Sequence, residues 1–142
     1  MDIQIKCVET VDRGEMKALY EDAGWWDQPQ GADTAYLDQV VTGSALFAAA
    51  FHGGKMIGMG RALSDSVSDA YIQDIVVLKT YRGPGIGRKR IETLISGLKE
   101  KGVDWIGLMA VPGTRHFYEE LGFRELKGYI PFKLEDSSNN SL

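Results

Sequence analysis

Arg82-Gly83-Pro84-Gly85-Ile86-Gly87-Arg88 stands where the chain changes period. Before it, Ala70 to Leu78 reads as a strand rich in Ile and Val. After it, Ile91, Leu94, Ile95 and Leu98 recur at i, i+3, i+4 and i+7, which predicts an amphipathic helix ending near Gly102. The segment is thus a strand-to-helix turn made of glycines. Glycine permits φ > 0 and lets a ligand approach the backbone closely. A helix start exposes unpaired N–H groups and a positive dipole end. Together these form an anion site suited to a diphosphate. Lys79, Arg82, Arg88, Lys89 and Arg90 add five basic residues, with no acidic one between 79 and 90.

Trp105 to Ala110 reads as the next strand. Strand, crossover helix and strand make a βαβ unit, so Ala70–Leu78 and Trp105–Ala110 should run parallel. Upstream lie Ser44–His52 and Lys55–Ser64, joined by the turn His52-Gly53-Gly54-Lys55, and then the connection Asp65 to Asp69. That is an antiparallel meander. Ile3, Ile5 and Cys7 alternate with polar residues as an opening strand. Thr10 or Asp12 caps a helix carrying Met16, Leu19 and Tyr20, stopped by Gly24. A loop around Trp25 and Trp26 leads to a short helix over Asp33–Val41. A helix over Thr114–Leu121 stops at Gly122. Phe123–Leu126 and Tyr129–Leu134 are expected as two last strands. The fold class is α/β with a mixed sheet. Residues 1–134 form one domain, and 135–142 are a polar tail expected to be disordered.

Composition sets the outer bounds. The 142 residues suit one ordinary domain, and 44% hydrophobic with 25% charged is globular. Sixteen Lys+Arg against 20 Asp+Glu give a net charge of −4, which argues against general binding of nucleic acid or anionic membranes. The single cysteine, Cys7, permits no intrachain disulfide and no cysteine-rich zinc site. The start Met1-Asp2-Ile3-Gln4-Ile5-Lys6 lacks the layout of a signal peptide. The longest apolar run, Ala45 to Phe51, is far short of the roughly 18 residues of a membrane helix. A cytoplasmic protein is the expectation.

Three phosphate motifs compete at the glycine turn. A P-loop ends in Gly-Lys-Ser/Thr, and here Gly87-Arg88-Lys89 stands instead. A dinucleotide fingerprint needs a last glycine where Arg88 or Arg90 is found. R-x-x-G-x-G is met by Arg82, Gly85 and Gly87. A plain strand–helix turn is the bland alternative.

Val76-Val77-Leu78-Lys79-Thr80-Tyr81-Arg82-Gly83-Pro84-Gly85-Ile86-Gly87 resembles the acetyl-CoA motif of the GNAT N-acetyltransferases, and Phe117-Tyr118-Glu119-Glu120-Leu121-Gly122-Phe123 resembles their second signature. The likeness extends over about Ile3 to Leu134, nearest in feel to the small-amine and arylalkylamine members. It implies the GNAT fold, a meander followed by a βαβ unit with splayed parallel strands, and acetyl-CoA as co-substrate. It implies that backbone N–H groups of Arg82, Gly83, Gly85, Ile86, Gly87 and Arg88 hold the pyrophosphate. Val76 and Val77 would pair with pantetheine, while Phe117 and Met109 line the cofactor. The acetyl carbonyl would lie where the parallel strands part, polarised by backbone N–H. Tyr118 would be the general acid that protonates the departing thiolate. No metal and no covalent intermediate are implied. The chain departs from the family pattern at Pro112 and Arg115, where Asn and Ala are common. Pro84 removes one N–H donor and stiffens the turn.

On the acceptor side, an attacking amine must be neutral, so a proton must be accepted. Strand alternation places Tyr71, Gln73, Ile75 and Val77 on one face and Ile72, Asp74, Val76 and Leu78 on the other. Tyr71 and Gln73 border the acceptor by resemblance. Asp74 is the only carboxylate in Ala70–Leu78 and the candidate proton acceptor, directly or through water; a structural core carboxylate is the alternative. Trp25 and Trp26 sit in the loop that would cover the acceptor. Asp65 and Asp69 read as turn residues, Cys7 as a small buried hydrophobe and His116 as a surface histidine. The partner is then a small-molecule amine, with neither nucleic acid nor membrane; the fold often pairs, so a homodimer stands beside the monomer as an alternative state. The rivals are a non-catalytic acyl-CoA-sensing or protein-binding module and a protein or peptide N-acetyltransferase. Outside the basic run, 11 Lys+Arg face 20 Asp+Glu, an acidic remainder that would attract a cationic amine.

Overall fold

Five strands pair in sequence order β1-β2-β3-β4-β5 in the computed structural model, which describes residues 2–83 and 85–135. Two compact units divide the chain, one up to Leu108 and one from Met109 onward. The first holds the whole sheet: β1 (Ile3–Cys7), β2 (Leu46–His52), β3 (Lys55–Ser64), β4 (Asp69–Val77) and β5 (Trp105–Leu108). The first four strands are antiparallel neighbours and β4 runs parallel to β5, as the βαβ pattern requires.

Helices cover both faces. On one face lie α1 (Arg13–Asp22) and α2 (Tyr36–Gly43). Asp12 caps α1 by accepting from the Glu15 N–H at 3.0 Å, and Gly24 (φ 78°) takes the left-handed conformation beyond its end. Met16 and Leu19 of α1 and Leu37 and Val41 of α2 bury against Phe47, Ala49, Met56, Met59 and Val76. On the other face lies α3 (Ile86–Glu100), with Ile91, Leu94 and Leu98 buried. The strands under it carry small residues so that the helix can sit close. A Cβ on Gly60 would stand 2.4 Å from Ile75 Cδ1, and one on Gly97 of α3 would stand 2.6 Å from Leu46 Cδ1.

Among its described residues the second unit contains one helix, α4 (Arg115–Glu120). Its end is closed by Gly122 (φ 100°) and by the Phe123 N–H, which donates to the Tyr118 carbonyl. The two expected last strands do not form. Phe123–Leu126 and Tyr129–Leu134 join no ladder among the described residues, although a turn with Tyr129 N–H donating to Leu126 C=O lies between them. Pro131 contributes no N–H to a ladder, and Ile130, Phe132 and Leu134 are 71%, 89% and 93% exposed. Cys7 also departs from expectation: it lies exposed on β1, an edge strand, rather than in the core. Pro84 and the tail from residue 136 lie outside the described residues. No helix among the described residues is long and apolar enough to cross a membrane.

Candidate active site

The glycine turn forms the helix start that its composition predicts. A 3-10 turn over Lys79–Tyr81 ends β4, and Arg82 and Gly83 lead on to Gly85, which has φ 101° and occupies the N-cap of α3. Only glycine adopts that conformation freely. Glycine also brings no capping side chain, so the first N–H groups of α3, at Ile86, Gly87 and Arg88, have no side-chain acceptor among the described residues. A fifteen-residue helix adds its dipole at this point. Lys79, Arg82, Arg88 and Lys89 are exposed around it. Arg88 leans to Glu92 at 3.4 Å along the helix surface.

Arg90 does not belong to that cationic patch. It is 1% exposed, and its Nη1 donates to the main-chain carbonyls of Met59 and Val76. The helical phase explains the difference: residues 90, 94 and 98 recur every four positions, so Arg90 lies in line with buried Leu94 and Leu98. Gly58 lies beside it: a Cβ there would stand 3.4 Å from Arg90 Nε and 3.2 Å from the Val76 carbonyl oxygen.

Every residue of β5 pairs with β4, and β5 stops at Leu108, short of the expected Ala110. Their ladder ends at Ile72–Leu108, while β4 continues to Val77. Over Gln73–Val77 the β5 side of β4 has no ladder partner among the described residues, and this unpaired edge leads straight into the glycine turn. The Val76 carbonyl is already engaged by Arg90.

Within that stretch the strand carries a bulge. Gln73 pairs with Arg61 and Val76 with Met59, so Asp74 and Ile75 together oppose Gly60. The extra residue breaks the expected alternation. Asp74 points to the α1–α2 side, toward Tyr20 and Arg61, and Val76 packs in the α1–α2 core. Ile75 turns instead to Gly60 and Leu94 on the α3 side. Asp74 has φ 55°, a left-handed conformation that is costly for a residue with a Cβ and tolerated best by Asn and Asp.

The Asp74 carboxylate is firmly held. Its Oδ2 accepts from Arg61 Nε at 2.7 Å and from the Tyr20 hydroxyl at 2.9 Å. Burial, and next the adjacent carboxylate, push the Tyr20 hydroxyl well above its ordinary range, so Tyr20 stays a donor. Beside this trio is a cavity of about 230 Å³ lined by Tyr20, Trp25, Trp26, Asp27, Tyr36 and Arg61, with Leu37 and Val40. Trp26 packs between Tyr20 and Tyr36, each ring centroid 6.4 Å away. Both tryptophans predicted from the loop therefore line one aromatic cavity.

Tyr71 and Gln73 are exposed on the same sheet face as Arg61. Tyr71 packs on Trp105 at 5.4 Å, and the Trp105 ring lies over Gly107, where a Cβ would come within 2.6 Å. Asp65 serves its own turn: its carboxylate accepts from the Val67 and Ser68 N–H groups and the Ser68 hydroxyl, which hold it well below its ordinary range. In the second unit Tyr118 is half-buried on α4, edge-on to Phe117 at 5.0 Å and to Phe123 at 5.9 Å. Met109 is exposed, Arg115 pairs with Glu125 at 2.6 Å, and His116 is a surface residue paired with Glu120.

Sequence reasoning missed Tyr20, Tyr36 and Arg61 as members of this site. A signal existed for Arg61. It is the one charged residue between Met56 and Leu63 in a strand otherwise apolar or small, as Asp74 is in β4. Two opposite charges in neighbouring strands satisfy each other's burial cost.

Comparisons with known proteins agree with this geometry. The acetyltransferase (GNAT) family model matches residues 12–123. A soybean (Glycine max) protein named histone acetyltransferase TAP1 is 33% identical over 120 residues, covering 80% of this chain and 52% of its own length. The chloroplastic serotonin N-acetyltransferase 2 of rice (Oryza sativa subsp. japonica) is 40% identical over 70 residues, covering 49% of this chain and 35% of its own. The chain thus spans about half or less of these two relatives. A solved GNAT-family acetyltransferase of Streptococcus pneumoniae superposes with a TM-score of 0.74 at 26% identity, covering 94% of this chain and all of that one.

Proposed function

The chain belongs to the acetyltransferase (GNAT) family, and on that ground we propose that it moves the acetyl group of acetyl-CoA to the primary amine of a small molecule, by direct attack in a ternary complex. The observation that carries the reading is the unpaired edge of β4 over Gln73–Val77, continuous with the unpaired N–H groups at the start of α3. An extended thiol-bearing arm needs main-chain partners, and a diphosphate needs convergent N–H donors. This chain offers both in one line.

In this mechanism Arg82, Gly83, Gly85, Ile86, Gly87 and Arg88 hold the diphosphate, and Val76 and Val77 align the arm. Met109 and Phe117 line it. The acyl group bound there supplies the electrophile. Trp25, Trp26, Tyr71 and Gln73 border the acceptor. The amine proton passes toward Asp74, directly or through a water; its Oδ1 bonds to nothing among the described residues and remains able to accept. Tyr118 donates its hydroxyl proton to the leaving thiolate. The four exposed cations at the turn and the acidic remainder of the chain divide the two substrates by charge. Residues 1–134 act as one functional domain in the cytoplasm, and chains pair.

A small amine is favoured over a protein lysine by the cavity of about 230 Å³, which is walled by aromatic rings. A thiol-release assay over a panel of aromatic and aliphatic amines tests the reading. Turnover on small amines is expected. Binding of acetyl-CoA without release on any amine would point to a sensing module, and release only with peptides would point to a protein acetyltransferase.

A further inference from the structure

The aromatic cavity is not apolar throughout, because Arg61 opens into it. Arg61 is a half-buried residue in the middle of β3, with its side chain 17% exposed, and it uses only Nε to bind Asp74. Its two terminal nitrogens bond to nothing among the described residues. On the other side of the pair, Asp74 uses only Oδ2, which accepts from both Arg61 and Tyr20, and Oδ1 has no hydrogen-bond partner among the described residues. Arg61 therefore brings a positive fork to a lining that also holds Asp27 and four aromatic rings, and Asp74 is bound to that arginine just beyond the lining.

A guanidinium fork in a low-dielectric cavity matches a carboxylate in geometry and charge. An acceptor with an amine and a ring but no acid group leaves those donors without a partner when water is displaced, which costs binding. The complement of this site is a molecule whose amine and carboxylate sit on adjacent atoms and whose remainder is flat and apolar. We propose that the acceptor is an α-amino acid with an aromatic or large apolar side chain, its carboxylate on the terminal nitrogens of Arg61 and its amine beside Asp74. Arg61 is then the residue that separates an amino acid from the amine formed by its decarboxylation. The acceptor enters as a zwitterion, so its net charge is zero and the acidic remainder of the chain does not repel it. This inference rests on the acetyltransferase reading above and narrows its substrate class.

Matched pairs test it: tryptophan against tryptamine and phenylalanine against phenethylamine, each pair differing by one carboxylate. In thiol release with acetyl-CoA, kcat/KM for the amino acid should exceed that for its amine by about tenfold or more, the size of one lost charge-assisted contact. Calorimetry should show the same order of affinities without turnover. In Arg61→Gln the preference should collapse toward unity in both assays, whereas acetyl-CoA affinity should match the parent. Amines used as well as or better than their amino acids by the parent protein would overturn the inference while leaving the acetyltransferase reading intact. That comparison needs no variant, so a poorly folded Arg61→Gln cannot obscure it. Acetyl-CoA binding with no release on any member of either pair, and none on the wider amine panel, would overturn both.

Discussion

Arg90 Nη1 donates to the carbonyl oxygen of Val76 at 2.6 Å. One residue belongs to the helix that opens at the glycine turn and the other to the strand that enters it. The contact, shared with the Met59 carbonyl, clasps both sides of the turn at the first strand pair beyond the bulge. A turn that must offer N–H donors in a set direction needs its two flanking elements fixed, and this arginine fixes them from beneath.

Replacing that arginine should cost stability first. Arg90→Met leaves two buried carbonyls short of a donor and is expected to lose about 2–4 kcal/mol in urea unfolding. Arg90→Lys keeps the charge without the fork and should fall between. A loss below about 0.5 kcal/mol would mean that water or another donor replaces the guanidinium.

At Gly85 there is open space for a Cβ, since no atom lies within 4 Å of it. The cost of Gly85→Ala is therefore conformational, at φ 101°. About 1–2 kcal/mol of destabilisation is expected. Titration calorimetry should show weaker acetyl-CoA binding, because the N–H groups of α3 are redirected. Unchanged affinity would remove this turn from cofactor binding.

Asp74→Asn should separate backbone from charge. Asn also tolerates the left-handed conformation and can still accept from Arg61 and Tyr20. The fold should persist, while amine turnover drops about 10²-fold, as expected when a proton acceptor is lost. Acetyl-CoA affinity should not change. Full turnover in Asp74→Asn would reduce Asp74 to a structural role.

Tyr118→Phe should bind acetyl-CoA as the parent does, and the edge-on packing with Phe117 and Phe123 needs no hydroxyl. Turnover should fall about 10²-fold or more if the hydroxyl is the acid. Single-turnover kinetics would show whether the acetyl-transfer step itself has slowed.

Tyr20 gives a pH prediction. Its folded pKa lies above its ordinary value of 10.0, owing to burial and then to the Asp74 carboxylate. A raised folded pKa contributes stability in full below the unfolded pKa, and that contribution is lost as pH rises past it. Stability should therefore begin to fall above about pH 10 through this group. Near-ultraviolet titration should find a late tyrosinate that is missing in Tyr20→Phe. An identical titration curve in Tyr20→Phe, less one ordinary tyrosine, would mean that neither burial nor Asp74 holds the Tyr20 proton.

Much of this molecule was legible before any coordinates. The helical spacing of Ile91, Leu94 and Leu98, the hairpin at Gly53-Gly54, the Asp12 cap and the glycine helix start all depend on residues a few positions apart. The last two strands are the counterexample. Tyr129–Leu134 alternates as a strand does, but a strand exists only when another backbone pairs with it, and no described ladder does so.

The sequence alone decided the order of elements up to α4, the mixed sheet and the place of the glycine turn, because glycine conformation and hydrophobic period are local properties. Only the tertiary structure decided which side chains meet. The bulge that turns Asp74 toward Tyr20 and Arg61 is a mismatch in register between two strands, and the partners of Arg90 are carbonyls on two strands distant from it in sequence. The cavity gathers Tyr20 from α1, Trp25 and Trp26 from a loop, Tyr36 from α2 and Arg61 from β3. Each is a contact between distant parts of the chain, settled by the packing of whole elements; the lone charge of Arg61 and the paired tryptophans mark members of the cavity, but not which residues they meet.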